Sequence, residues 1–183
     1  MVISPLVNQG RQKTGPDMEV DIVNVKEHPE LKTWLEQFYQ SYLEEISVFD
    51  EGNENLIAWT NLEPDPLGFW CNDPSTLPFV IRLQGRPIGF MLVGGGAFPY
   101  MSSDVDFRIG ELFILREFRR QGAARRAVRN LWDRLPGYWE VTELMNNIPA
   151  VFFWNKIIGE YTDGEYWDQI IVGGRRQFFR IFP

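Results

Sequence analysis

The chain has a single cysteine, Cys71, and a single histidine, His28, among its 183 residues. One thiol cannot close an intramolecular disulfide, and one thiol with one imidazole cannot build a zinc or iron–sulfur ligand set. No metal site is therefore expected, and a reducing, cytoplasmic setting is the simplest one. Cys71 reads as a small buried thiol rather than a nucleophile, because His28 lies far upstream. A basic excess is also lacking: 18 Lys and Arg stand against 25 Asp and Glu, for a formal net charge of −7. A chain of that sign repels nucleic acid and anionic membrane surfaces unless its few bases are gathered, and no interleaved aromatic and basic stacking platform stands out. Long apolar runs are absent as well. Residues 1–17 mix Ser, Pro, Asn, Gln, Lys and Gly, which suits a loose leader and neither a signal peptide nor a membrane span.

What is present is 44% hydrophobic and 15% aromatic residues, enough for one well-buried core, so residues 18–183 read as one domain. Alternating Val20 and Ile22 with Glu19 and Asp21 predict a first strand, in which Val23 and Val25 take the opposite phase. His28-Pro29-Glu30 opens a helix whose Leu31, Trp34, Leu35, Phe38, Tyr39, Tyr42 and Leu43 recur at helical spacing. Residues 47–78 show no sustained period and read as loops with one short helix around 55–60; a stretch this long suggests a binding loop. Strands are expected at 79–83 and 88–93, joined by a glycine turn, and Gly94-Gly95-Gly96 reads as a connection rather than a phosphate cradle, since no helix follows it. Next come a strand at 106–115, a turn at 117–122, a helix at 123–135 and a strand at 138–144. A helix capped by Asn147 runs to Gly159, and a terminal hairpin spans 166–172 and 177–182. Interleaved strands and helices imply an α/β or α+β sheet with helices packed on it.

Chemistry concentrates between Glu111 and Arg125, where an apolar strand, a basic turn and a helix begun by small residues follow one another. A helix N-terminus offers unpaired N–H groups and a partial positive charge, and small residues let a pyrophosphate come close. Arg119-Arg120-Gln121-Gly122-Ala123-Ala124 fits the pattern Arg or Gln, any two residues, Gly, any residue, Gly or Ala. It thereby resembles the signature of the GNAT superfamily of acyl-CoA N-acyltransferases. Leu112-Phe113-Ile114 stands where that family has a hydrophobic-aromatic-Val triplet, Glu117-Phe118 where it has Glu-Tyr, and Asn147, Ala150, Trp154 and Gly159 fall at the spacing of its penultimate helix. The likeness covers roughly 106–161. It implies a mixed, mostly antiparallel sheet with one splayed strand pair, and acetyl-CoA (coenzyme A) lying in the gap. Leu112, Phe113 and Ile114 would bond pantetheine through their backbone, Arg119, Arg120, Gln121, Gly122, Ala123, Ala124 and Arg125 would wrap the pyrophosphate, and Asn147 and Trp154 would meet the cofactor.

The implied activity is transfer of an acetyl group to a primary amine, with a non-catalytic acyl-CoA sensor as the alternative. The chain is read as a monomer or homodimer. Glu111 is the first candidate base, because strand alternation would set Ile109, Glu111, Phe113 and Leu115 on one face and desolvate the carboxylate. Glu143 is the second. The family's usual acid is a tyrosine, and here that position is Trp154, whose indole N–H does not ionise usefully; Tyr161 is the candidate substitute. Residues 33–81 contain no Lys, Arg or His but carry nine carboxylates, Glu44 and Glu45 among them. This suggests an acidic acceptor wall that draws a cationic small molecule or peptide, with Tyr39, Tyr42 and Trp59 as aromatic contacts.

Overall fold

The computed structural model describes residues 19–49 and 65–183. Seven strands form one sheet in the order β1-β2-β3-β4-β5-β7-β6. They are β1 Val20–Asn24, β2 Thr76–Leu83, β3 Arg86–Gly95, β4 Phe107–Ile114, β5 Gly137–Leu144, β6 Tyr166–Ile171 and β7 Gly174–Ile181. Every neighbouring pair is antiparallel except β4 and β5, which are parallel. A parallel pair needs a crossover. It is supplied by α3, Ala123–Arg134, with α1 at Lys32–Ser47, α2 at Pro66–Asn72 and α4 at Ile148–Tyr161 completing the α-helices among the described residues.

Two apolar clusters lie on opposite faces of the sheet. One joins Val128, Leu131 and Trp132 of α3 and Ile157 of α4 to the strand residues Ile109, Trp139 and Phe179; the other joins Leu35, Tyr39 and Tyr42 of α1 and Trp70 of α2 to the strand residues Phe90, Leu92 and Phe113. Leu131 and Val128 are wholly buried, and each side chain so removed from water contributes ~1.5–3 kcal/mol. The α3 stripe forms because apolar residues recur at helical spacing while Arg125 and Arg126 stay exposed.

Three features depart from the sequence reading. The stretch expected to be loop contains α2, in which Asp65 accepts the Gly68 N–H at 2.9 Å and Pro66 sits in the first turn; its seven residues are too few to show a period. β2 starts at Thr76 rather than 79 because Pro78, which lacks an N–H, still offers its carbonyl to the Val25 N–H at 2.8 Å. Most consequentially, β4 is bulged. Leu92 faces Glu111 and the next residue, Val93, faces Ile109, leaving Gly110 without a partner on β3. The extra residue reverses the alternation, so Ile109 belongs to the α3 side while Phe113 belongs to the α1 side. The expected leader and the expected helix at 55–60 lie outside the described residues, as does Trp59.

Candidate acetyl-transfer site

β4 and β5 pair at Phe107 with Trp139, Arg108 with Glu140 and Ile109 with Val141, and there the ladder stops. β4 continues along β3 to Ile114, and β5 continues along β7 to Leu144. The two strands therefore part directly after Ile109, at the bulge. Into the parting opens a cleft of about 1010 Å³, which runs from Glu111 to the start of α3.

At the α3 end the backbone turns sharply. Arg120 and Gly122 have positive φ, 60° and 77°, and Gly122 is the residue from which α3 starts. Glycine takes this conformation without strain, and a β-carbon there would lie 3.2 Å from Nη1 of Arg126. Gly122, Ala123, Ala124 and Arg125 all line the cleft, so the first-turn N–H groups of α3 face it past small side chains. The arginine side chains are largely committed elsewhere. Arg119 donates to the Ile114 carbonyl at 2.7 Å and holds Glu45 with both terminal nitrogens, at 2.6 and 3.1 Å. Arg125 pairs with Glu160 at 2.7 Å. Gln121 is exposed and donates to the Glu117 carbonyl; it does not line the cleft.

Midway, Leu112, Phe113 and Ile114 form one wall, and Asn147 and Trp154 contribute to the other. Asn147 accepts the Ala150 N–H at 3.3 Å and so fixes the start of α4. Trp154 is 5% exposed. A narrow strand gap flanked by apolar side chains and ending at a helix N-terminus suits a long thiol arm tipped with pyrophosphate.

Glu111 lies at the inner end, buried. Its Oε1 accepts the Tyr39 hydroxyl at 3.1 Å and the Trp70 indole N–H at 3.2 Å, while Oε2 has no hydrogen-bond partner. Burial raises its pKa to about 7, against the opposing pull of the two hydrogen bonds and of Arg108. Glu143 also lines the cleft, but its Oε1 takes the Arg175 guanidinium, with Nε at 2.8 Å; burial pushes its pKa up and Arg175 opposes this.

Other expectations are not met. Tyr161 lies outside the cleft: its hydroxyl donates to Asp133 at 2.5 Å and its ring packs on Trp132. Burial and that carboxylate push its pKa to about 12. Seven residues on, Tyr161 shares the helix face of Trp154 but lies two turns, ~10 Å, further along α4, where it meets α3 beyond the cleft. Glu44 is exposed and away from the cleft. Glu45 reaches the wall but is neutralised by Arg119 and Arg116, so the described part of the acidic stretch does not build a free negative surface there. Tyr42 lines the cleft and Tyr39 stands behind Glu111. Cys71 is buried in α2, and burial pushes its thiol pKa up, as befits an inert thiol.

The acetyltransferase (GNAT) family model matches residues 28–159, more than half of the chain. The chain belongs to the GNAT acetyltransferase family. Solved structures agree in fold: an acetyltransferase from Thermus thermophilus is 16% identical with a TM-score of 0.54, over 90% of this chain and 97% of that one. A GNAT-family acetyltransferase from Staphylococcus aureus is 9% identical with a TM-score of 0.53, over 88% and 99%. An aminoglycoside 6′-acetyltransferase type Ii is 13% identical with a TM-score of 0.53, over 88% and 97%. No curated protein sequence matches the chain. Membership of the GNAT family makes the activity N-acetyl transfer in general, with acetyl-CoA as the donor. No helix among the described residues is long and apolar enough to cross a membrane.

Sequence reasoning missed Trp70, Arg108, Thr142 and Arg176, which also line the cleft. Trp70 sat in a stretch read as loop, and the other three lie on strands whose pairing only the fold sets. One signal was available: a glycine inside a strand pattern, Gly110, marks a bulge.

Proposed function

We propose that this GNAT member transfers an acetyl group from acetyl-CoA to the primary amine of an acceptor, with Glu111 as the general base. The observation that carries this reading is a buried carboxylate with one unpartnered oxygen, set at the inner end of a cleft that begins at a helix N-terminus. Acetyl-CoA supplies the acetyl group as a thioester. The N–H groups at the start of α3 hold its pyrophosphate, the backbone of Leu112, Phe113 and Ile114 lies along its pantetheine arm, and Asn147 and Trp154 close the opposite side. An amine arrives mostly protonated, and Glu111, ionised above about pH 7, removes that proton so that the nitrogen lone pair is available. Tyr39 and Trp70 fix the carboxylate so that Oε2 is the oxygen presented. α4 brings no acid to the departing thiolate, because Trp154 does not ionise and Tyr161 is bound to Asp133; a thiol whose ordinary pKa is about 8.5 tolerates this.

Isothermal titration calorimetry with acetyl-CoA and with coenzyme A, followed by a screen of amines that reads free thiol, tests the proposal. Binding of both ligands with similar affinity, and thiol release dependent on amine, is the expected result. Binding without release on any amine would make the chain an acyl-CoA sensor, and absence of binding would remove the cleft assignment altogether.

A further inference from the structure

Beside Glu111, on the same face of the sheet, two arginines share one carboxylate. Glu140 on β5 is wholly buried. Its Oε2 accepts the Ser102 N–H at 2.9 Å and its Oε1 the Thr142 hydroxyl at 3.2 Å. The same Oε1 faces Nη1 of Arg108 and Nε of Arg176, each at 3.6 Å. That is ion-pair range but too long for a hydrogen bond. The Nε atoms of both arginines are buried and have no hydrogen-bond partner. Arg108 also donates to the Tyr100 carbonyl, which pins it under the loop that leads into β4. Both arginines line the cleft.

By contact, two guanidiniums share one carboxylate, Glu140. The other carboxylate within Coulombic reach is Glu111, which Arg108 favours in its ionised form but with which neither arginine makes an ion pair. When Glu111 engages the acceptor's ammonium, the second guanidinium is left for another anion. A cleft end with one acidic group and one such cation is complementary to a molecule that carries both charges.

On the reading of Glu111 given above, we propose that Arg108 and Arg176 form an anion subsite that selects an amine acceptor bearing a carboxylate, an amino-acid-like zwitterion rather than a polycation. The guanidinium fork suits a planar carboxylate, and charge-assisted bonds there discriminate by about ten- to a hundredfold against a neutral isostere.

The test compares acid with amide, in binding and in turnover. With coenzyme A bound, the N-acetyl derivatives of glycine, leucine and phenylalanine and the carboxamides of each are titrated by calorimetry. The free amino acids and their amides are then offered with acetyl-CoA. At least one acid should bind, or turn over, about tenfold or more better than its amide. Arg176→Gln should collapse that ratio toward one, and Arg176→Lys should restore part of it, with coenzyme A binding showing that each variant is folded. Equal handling of acid and amide by the native protein, or a ratio unmoved in Arg176→Gln, overturns the subsite. The two readings fail separately: amines acetylated without acid preference leave the transferase and remove the subsite. Acid-selective binding with no acetylation of any amine leaves the subsite and removes the transferase.

Discussion

Glu111 owes its chemistry to what surrounds it. A carboxyl in water ionises near 4.5, and burial carries this one to about 7, where it can both accept and release a proton under working conditions. The activity profile should accordingly rise through a pKa near 7, and Glu111→Gln should lose that limb, with partial recovery at high pH where the amine sheds its proton unaided. A rate that is unchanged in the variant at every pH would assign the base to another group. Tyr39→Phe removes a hydrogen bond that favours the ionised form, so its limb should move upward by up to about one unit; a downward shift would contradict the geometry. Stability carries the same signature. Because the folded pKa lies above the unfolded one, the native state holds the extra proton between about 4.5 and 7, and this group's contribution falls as pH rises through that window. Above it the cost is roughly 3 kcal/mol. The native protein should therefore lose melting temperature relative to Glu111→Gln between pH 5 and pH 8, and parallel melting curves across that range would refute the shift.

At the scale of elements, one extra residue in β4 does two things. The bulge at Gly110 turns Glu111 to the α1 face, and the β4–β5 ladder ends at the residue before it, Ile109. Trp70 of α2 fills the space beside the bulge: a β-carbon on Gly110 would lie 2.9 Å from its ring. Gly110→Ala should thus displace the indole that holds Glu111 and destabilise the protein by ~1–3 kcal/mol, as read by denaturant unfolding. The start of α3 makes a comparable demand. Gly122→Ala should cost ~1–2 kcal/mol of stability for its positive φ, whereas Gly122→Glu should abolish coenzyme A binding by adding negative charge at the helix N-terminus. Calorimetry on folded protein distinguishes the two, and retained affinity in Gly122→Glu would mean that the phosphates sit elsewhere.

Across the whole molecule the charge is −7, yet the cleft is not an acidic trough. Glu45 is spent on Arg119 and Arg116, Glu160 on Arg125, and Glu143 on Arg175. Glu45→Gln should therefore act on the structure that ties α1 to the turn before α3. A loss of about 1 kcal/mol is expected, since the pair is partly exposed, with little change in preference between cationic and neutral amines. A marked loss of cationic preference would show that Glu45 steers the acceptor after all.

The sequence alone determined whatever is written in local pattern. The α3 stripe, the Asn147 cap and the small residues after Arg120 are properties of neighbours along the chain, and so the family, and the residues that line the α3 end of the cleft, could be read from them. Glu111 was legible as a buried acid, though for a partly mistaken reason: strand alternation placed it with Ile109, and the bulge at Gly110 separates the two. What only the tertiary structure decided is how charges are paired. Whether Glu45 faces an acceptor or an arginine 74 residues away, whether Tyr161 meets the cleft or Asp133, and which two guanidiniums share one carboxylate all depend on contacts between distant segments. Coulomb and hydrogen-bond energies are set by separations of a few ångströms, and no periodicity along the chain encodes those separations.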